Sequence, residues 1–156
     1  MIDEISLKIL KILQKKARIP NVEVARQVGM APSAVLERIR KLEKTGLIDG
    51  YEVRLNPERF GKGQVAFIQV QIDGRTQTKK LSTQLASLAQ VQEIHFVAGQ
   101  DSLLLKVRET DTRTLGRLVR KEIAALKGVV STQTTIVMET FKESAQIPID
   151  DAVSIE

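Results

Sequence analysis

The stretch Asn21–Gly50 decides the fold of this chain and reads NVEVARQVGMAPSAVLERIRKLEKTGLIDG. Apolar residues repeat at helical spacing after Asn21, whose side-chain oxygen can cap a helix, so the stretch opens with a short predicted helix. Gly29 follows and suits the left-handed conformation at which helices end. Pro32 suits the first position of a second helix, because its missing N–H would have no intrahelical partner there. The stretch therefore predicts two short helices joined by a tight turn.

The second predicted helix is apolar on one side and cationic on the other. Its apolar stripe consists of Val35, Leu36, Ile39 and Leu42, and the cations off the stripe are Arg38, Arg40, Lys41 and Lys44. Two helices with so short a turn match the helix-turn-helix motif, in which the N-terminal half of the second helix enters the major groove of DNA. Alternatively, the cations are the solvated face of an ordinary helical hairpin. The glycine turn, the proline start and the hydrophobic pair Leu47–Ile48 favour DNA binding.

The composition excludes several classes of protein. With 42% hydrophobic and 28% charged residues, the chain resembles an ordinary globular protein, and its 156 residues allow one mid-sized domain or two small ones. The absence of cysteine excludes disulfides and thiolate metal sites. No apolar run approaches the roughly 20 residues that span a bilayer, and the start MIDEISLK does not resemble a secretory signal. We expect a cytoplasmic protein without a metal or a cofactor.

Positive charge is concentrated in the first part of the chain. The net charge is +5; residues 1–60 hold 12 Lys and Arg against 8 Asp and Glu, whereas residues 61–156 hold 12 against 11. A module that binds the phosphate backbone needs such an excess, because its cations release counterions from the duplex. The charge distribution therefore supports double-stranded DNA as the partner of the N-terminal part.

The N-terminal part is predicted to form three helices, near residues 3–16, 21–29 and 32–45. Asp3 can cap the first of them. Residues 51–55 alternate and include β-branched and aromatic side chains, so we expect a short strand there, followed by a hinge that ends at Gly63. The expected divisions are a helix-turn-helix domain at 1–50, a linker strand and hinge at 51–63, a second domain at 64–140 and a polar C-terminal tail at 141–156.

The second half changes from helical to alternating periodicity. Residues 64–73 alternate, with Ala66, Ile68, Val70 and Ile72 on one face and Val65 and Phe67 on the other. A helix near 76–90, strands at 91–98 and 103–108, a helix between Asp111 and Gly128 and a strand at 129–140 follow. The order strand, helix, strand, strand, helix, strand predicts a ferredoxin-like βαββαβ domain of the α+β class, with helices on one face of an antiparallel sheet.

Apolar residues on both faces of the first predicted strand indicate that something covers each face. The helices cover one face, and Val65 and Phe67 lie on the other. A second copy of the chain is the economical cover, although the tail or the N-terminal part could also provide it. We therefore expect a homodimer.

Three stretches of the sequence resemble one family. They are ILKILQKKARIPNVEVARQVGMAPSAVLERIRKLEKTGLIDGY, HFVAGQDSLLLKV and GVVSTQTTIVM, within a span from Ile2 to about Ile149. Together they make the chain resemble the leucine-responsive/asparagine-operon (Lrp/AsnC, or feast/famine) transcription regulators. The resemblance implies a three-helix winged helix-turn-helix joined to a ferredoxin-like domain. It also implies dimers that build larger assemblies such as octamers, and amino-acid effectors bound in the C-terminal domain near where dimers meet.

The resemblance further implies which residues perform these roles. The DNA-facing residues would be Pro32, Ser33, Ala34, Glu37, Arg38 and Lys41. The effector-binding residues would be Gly99, Gln100, Asp101, Ser102, Thr132 and Thr134. Two positions depart from the family pattern: Ala31 stands where the family has a helix-capping serine, and the family's turn aspartate falls on Ser102 in an ungapped alignment, one place after Asp101.

The turn Gly99–Ser102 also has a physical interpretation of its own. Asp101 can hold the ammonium of an amino acid, while N–H groups near Gly99 can approach the carboxylate with no side chain in the way. The plain alternative is a hairpin turn, for which glycine and aspartate are expected anyway. Thr132 and Thr134 alternate onto one face, but threonine is also a good strand former.

Two other functions fit the same architecture. Sirohaem decarboxylases resemble it and would use basic and histidine residues around a tetrapyrrole. The one histidine here, His95, lies on a predicted strand, where histidine is more often packed or hydrogen-bonded than catalytic. The third class is a ligand-binding assembly protein that has lost DNA binding. We favour a DNA-binding regulator and expect no catalytic residues.

Overall fold

The structure is a computed structural model that describes residues 2–99 and 101–150. The chain divides into two compact units, Met1–Arg54 together with Lys142–Glu156, and Leu55–Phe141. The C-terminal tail thus belongs to the N-terminal unit. None of the described helices is long and apolar enough to cross a membrane.

Three helices form the first unit: α1 (Glu4–Lys15), α2 (Asn21–Val28) and α3 (Pro32–Lys44). Each helix turns one apolar stripe inward, and the stripes meet in a core of Ile9, Leu13, Val24, Ala25, Val35, Ile39 and Leu42. Burial of these side chains stabilises the unit by about 1.5–3 kcal/mol per large residue. The core decides which side of α3 is left facing solvent.

The caps of these helices agree with the sequence except at one position. Asp3 accepts a hydrogen bond from the N–H of Ser6 at 2.7 Å, and Gly29 is left-handed with φ +70°. Asn21, expected to cap α2, is instead its first helical residue. The carbonyl of Pro20 takes the cap position, because it accepts from the N–H groups of Glu23 and Val24 at 2.9 and 3.1 Å.

The strand expected at 51–55 does not form within the chain. The segment has no ladder partner among the described residues, and its alternating side chains Tyr51, Val53 and Leu55 are exposed. A strand needs a neighbour to satisfy its backbone N–H and C=O groups, so alternation alone does not produce one. The segment leads into a 3₁₀ turn, Pro57–Phe60.

The second unit has the predicted βαββαβ order. Its elements are β1 (Gln64–Ile72), α4 (Thr78–Ala86), β2 (Val91–Val97), β3 (Ser102–Glu109), α5 (Thr112–Leu118), continued by a π-helical turn (Val119–Ile123), and β4 (Val129–Ile136). The strands form one antiparallel sheet in the order β2-β3-β1-β4. This is the ferredoxin-like topology that the sequence predicted, and together with the three N-terminal helices it makes the chain an α+β protein.

The core of the second unit lies between this sheet and the helices. Its buried members are Ala66, Ile68, Val70, Ile72, Leu81, Leu85, Leu103, Leu105, Val107, Leu115, Leu118 and Ile123. The even-numbered residues of β1 face this core, as the alternation predicted. Val65 and Phe67 lie on the opposite face of the sheet, where Phe67 is 37% exposed.

The tail returns to the end of α1 through a reciprocal set of hydrogen bonds. The side-chain amide of Gln14 donates to the carbonyl of Ile147 at 2.8 Å and accepts from its N–H at 3.0 Å. The side chain of Gln146 donates to the carbonyl of Gln14 at 3.0 Å. That carbonyl belongs to the last turn of the helix, where carbonyls lack intrahelical donors. The side chain of Gln14 therefore satisfies both backbone groups of Ile147, as the backbone of a neighbouring β-strand would.

Replacing this glutamine tests the attachment of the tail. We expect Gln14→Ala to abolish protection of the Ile147 amide in hydrogen exchange, because both side-chain bonds to Ile147 are lost. The free energy of unfolding should change by about 1 kcal/mol or less, since the bonds are solvent-accessible. Gln27→Ala, which removes a bond to Glu23 at 3.1 Å on α2, is the matched control. Unchanged protection of Ile147 in the Gln14 variant would contradict the attachment.

Candidate nucleic-acid interface and effector site

The N-terminal half of α3 is presented to solvent. Of the six residues predicted to face DNA, four are exposed and one is half-buried: Pro32, Ser33, Glu37 and Lys41 are exposed, and Ala34 is half-buried. The helix has no acidic residue in its first turn and no side-chain cap, because Ala31 occupies the cap position. Its first N–H groups are therefore open to a phosphate, and its dipole favours an anion there.

Arg38, the sixth predicted residue, points toward α1 instead. Its guanidinium forms an ion pair with the carboxylate of Asp3 and donates to Ser6 Oγ at 3.1 Å. The side chain of Arg38 is 30% exposed. Since Asp3 also caps α1, this one carboxylate joins the N-terminus of α1 to the middle of α3. The arrangement suits Arg38 to hold α3 in place rather than to lie free over DNA.

The ion pair changes the acidity of Asp3. The hydrogen bond from Arg38, aided by the backbone N–H of Ser6, lowers the pKa of Asp3 from 3.8 to about 2. The carboxylate therefore stays charged throughout the physiological range. The remaining cations of α3, Arg40, Lys41 and Lys44, are exposed and available to phosphates.

The predicted effector turn connects β2 to β3 at the end of the sheet where β1 also ends. Gly99 has φ +104°, a backbone conformation that residues other than glycine rarely adopt. Gln100 lies outside the described residues. The carboxylate of Asp101 belongs to an exposed residue, while its backbone carbonyl accepts from the N–H of Ile72 at 3.1 Å. Ser102 is fully buried on β3 and accepts from Gln69 Nε2 at 3.2 Å. The turn is thus anchored to the end of β1.

Thr132 and Thr134 do not join this turn in a common pocket within the chain. Thr132 pairs with Val70 on β1, so it shares the helix-covered face of the sheet. Ser102 pairs with Gln71 and lies on the opposite face. In addition, β1 separates β3 from β4, a spacing of about 10 Å. The predicted effector residues Ser102 and Thr132 therefore lie on opposite faces of the sheet.

A row of polar side chains that the sequence did not predict crosses the uncovered face of the sheet. Gln69 donates to Ser102, and Ser131 Oγ donates to Gln71 Oε1 at 3.0 Å. The signal was present, because Gln69 and Gln71 alternate with core residues of β1 and must face away from the helices. Which residues of β3 and β4 they meet depends on the pairing register, which the sequence does not display.

The same face of the sheet carries charged side chains on the edge strand β2 and on its neighbour β3. Glu93 accepts from Lys106 Nζ at 3.0 Å and lies 3.2 Å from His95 Nε2. The hydrogen bonds from Lys106 and then from His95 hold the pKa of the Glu93 carboxyl below its usual value. His95 is thus a hydrogen-bonded surface residue, which is the role that the sequence favoured. Within residues 2–99 and 101–150, no three His, Asp or Glu side chains are grouped as a metal site requires.

These two units define a class of protein. Residues 2–49 match the family of winged helix-turn-helix DNA-binding domains, and residues 65–147 match the Lrp/AsnC ligand binding domain. A DNA-reading unit joined to a ligand-binding unit is the organisation of a ligand-responsive transcription regulator. The chain belongs to the Lrp/AsnC family.

Individual relatives agree with this membership. The chain is 35% identical over 150 residues to the leucine-responsive regulatory protein of Escherichia coli K12, covering 95% of this chain and 92% of that protein. A transcriptional regulator of Neisseria meningitidis, solved as a complex with L-Met, superposes with a TM-score of 0.90 at 28% identity, covering 95% of this chain and 97% of that one. Escherichia coli AsnC has the same fold, with a TM-score of 0.82 at 24% identity over 97% and 99% of the two chains.

The Asp3–Arg38 ion pair predicts a pH-dependent stability. Asn caps a helix about as well as Asp, so Asp3→Asn removes the charge alone. Because the pKa of Asp3 falls from 3.8 to about 2 on folding, the ionised carboxylate stabilises the fold fully above about pH 4 and less as the pH falls through 2. We expect the variant to lose about 0.5–1 kcal/mol at neutral pH, a value reduced for solvent screening, and nothing below pH 2.

Urea unfolding across this pH range measures the difference. Asp49→Asn, which removes one carboxylate at an exposed position of the same unit, is the matched control. If the loss in Asp3→Asn is the same at every pH, the carboxylate charge does not stabilise the unit.

Proposed function

We propose that this regulator reads specific DNA sequences through the exposed half of α3 and that an amino acid modulates its assembly or its operator binding. The observation that carries the DNA part is the exposure of Pro32, Ser33, Glu37 and Lys41 on a helix whose N-terminus bears no acid. In this proposal Lys41 contacts phosphate, the side chains at the helix start meet base edges, and Arg38 holds the helix in position.

The regulator acts as a homodimer in this proposal, with an octamer as a larger assembly. Two features support it: Phe67 is exposed on the uncovered sheet face beside Val65, and residues 51–55 alternate without a ladder partner. Both are surfaces that a second copy can cover. Two recognition helices then reach successive major grooves about 34 Å apart.

The effector of this proposal is an amino acid at the turn Gly99–Ser102. The Neisseria relative was solved with L-Met, and here the exposed Asp101 offers a carboxylate for an ammonium group. Because Thr132 and Thr134 share a face with the helices while Ser102 does not, we assign the rest of the pocket to a neighbouring protomer. The amino acid shifts the equilibrium between assembled states only as far as it binds one of them more tightly than the other.

The site of action in this proposal is the cytoplasm, where the DNA of its bacterial relatives lies. We assign the protein no catalytic role. The relatives described above are transcription regulators, and His95, the residue that a tetrapyrrole enzyme would use, is engaged by Glu93.

Neutralising one cation on α3 tests the DNA interface. We expect Lys41→Gln to weaken operator binding on the order of tenfold at 0.1 M salt and to lower the slope of log affinity against log salt concentration by about 1, because one phosphate contact is lost. Lys8→Gln, which removes an exposed cation from α1, is the matched control and should leave both quantities nearly unchanged. Equal effects of the two variants would place the interface elsewhere.

Removing the charge of Asp101 tests the effector site. Titration calorimetry of the full chain with the twenty amino acids, L-Met first, identifies the effector. We expect Asp101→Asn, which keeps a turn-forming residue, to weaken that binding at least tenfold while leaving basal operator affinity unchanged. Asp49→Asn serves as control. Loss of effector response and operator binding together would contradict separate sites, and unchanged calorimetry would remove Asp101 from the effector site.

A further inference from the structure

The outer side of α5 and its π-helical turn carries a row of four exposed cations. They are Arg113, Arg117, Arg120 and Lys121, which we call the α5 cationic stripe. Leu115, Leu118 and Ile123 are buried on the opposite side. Leu118 and Ile123 are five positions apart, and the π turn accommodates this spacing by keeping both of them in the core. The same turn leaves Arg120 and Lys121 facing solvent.

This row costs the helix electrostatic energy. Arg113 and Arg117, and again Arg117 and Lys121, are like charges four residues apart, a spacing at which they repel. Arg113 lies in the first turn, where the dipole disfavours a cation, although the N-cap carboxylate of Asp111, whose pKa the charge of Arg113 helps to lower, attracts it. Two exposed cations of the first unit, by contrast, have a partner on their own helix: Lys8 pairs with Glu4 at 2.7 Å and Arg26 with Glu23 at 2.6 Å.

The stripe is not neutralised by the described part of the chain. Arg117, Arg120 and Lys121 form no ion pair among residues 2–99 and 101–150. Two acids neighbour the stripe in the sequence. Asp111 is engaged as the N-cap, where it accepts from the N–H of Thr114 at 2.8 Å, and Glu122 is exposed beside Lys121 without an ion pair among the described residues. The repulsion among these cations destabilises the free protein. Binding of an anionic partner over the stripe would relieve it, which explains why the row is present.

We propose that the α5 cationic stripe is a second DNA-contacting surface, which binds phosphates without reading sequence. The chain already holds DNA through α3, so phosphates are present at high effective concentration near the second unit. The stripe runs over nine residues, Arg113 to Lys121, and its eight steps of about 1.5 Å give about 12 Å of helix, which matches about three nucleotides of one strand at about 3.4 Å each.

A second copy of the chain is a poor occupant of this surface. A symmetric contact places each patch against itself, so the cations would face cations. A duplex instead offers a continuous row of negative charge, and each neutralised phosphate releases a condensed counterion. The stripe thus adds affinity and salt dependence, while sequence discrimination stays with α3.

The test compares two double variants of the full chain with the same loss of charge. Arg117→Gln/Lys121→Gln removes half of the stripe, and Arg59→Gln/Lys80→Gln removes two exposed cations elsewhere in the second unit. Glutamine is a good helix former, so α5 should be retained, and loss of the repulsion should leave the melting temperature unchanged or raise it. Fluorescence anisotropy with operator DNA and with unrelated duplex of equal length gives affinity across a salt series.

For the stripe variant we expect the slope of log affinity against log salt to fall by about 2, equally for operator and unrelated DNA. The control variant should change the slope by less than half as much. Arg117→Lys/Lys121→Arg keeps both charges and should retain the natural slope. An unchanged slope in the stripe variant, or equal changes in the stripe and control variants, overturns the proposal.

The inference rests on DNA binding by α3, and the two ideas can fail separately. If Lys41→Gln weakens operator binding while the stripe variant does not, only the second surface is removed. If Lys41→Gln has no effect while the stripe variant lowers the slope, α3 is not the reading helix but the stripe still binds phosphate. A stripe that binds an acidic protein instead of DNA would leave the DNA affinity and its salt slope untouched.

Discussion

The packing of Val35, Ile39 and Leu42 of α3 against α1 and α2 is the constraint on which the DNA-reading unit depends. Burying this stripe fixes the rotation of α3 about its own axis, and that rotation leaves Ser33, Glu37 and Lys41 outside. The Asp3–Arg38 ion pair then ties α3 to the N-terminus of α1. The solvent-facing side of α3 is therefore set by a hydrophobic core and one ion pair.

Strand pairing has the corresponding role in the second unit. Because Ser102 pairs with Gln71 and Thr132 pairs with Val70, the polar row on the uncovered face and Thr132 and Thr134 of β4 lie on opposite faces of the sheet. A ligand at the turn Gly99–Ser102 thus contacts only part of the predicted set within one protomer. On the other side of the sheet, the π turn after α5 holds Ile123 in the core and turns Arg120 and Lys121 outward. In both places the backbone pattern decides which side chains can act together.

Much of this could be predicted, and the failures have physical causes. Gly29, Pro32 and the Asp3 cap were recognisable because their backbone roles are local. The expected cap at Asn21 was wrong because the carbonyl of the preceding proline satisfies the same N–H groups. The strand expected at 51–55 does not form among the described residues of one chain, because alternation is necessary for a half-buried strand but does not supply a hydrogen-bonding neighbour. The partner of Arg38 was missed because Asp3 lies 35 residues away in the sequence.

The sequence by itself determined the helix-turn-helix, the βαββαβ order, the two faces of β1 and the excess of cations in the first 60 residues. Each of these depends on periodicity, turn chemistry or charge, which neighbouring residues express locally. Only the tertiary structure decided that Arg38 is engaged by Asp3, that Gln14 binds the returning tail, and that Ser102 and Thr132 lie on opposite faces. Those outcomes depend on contacts between residues far apart in the chain, and no local pattern specifies which distant partner a side chain will meet.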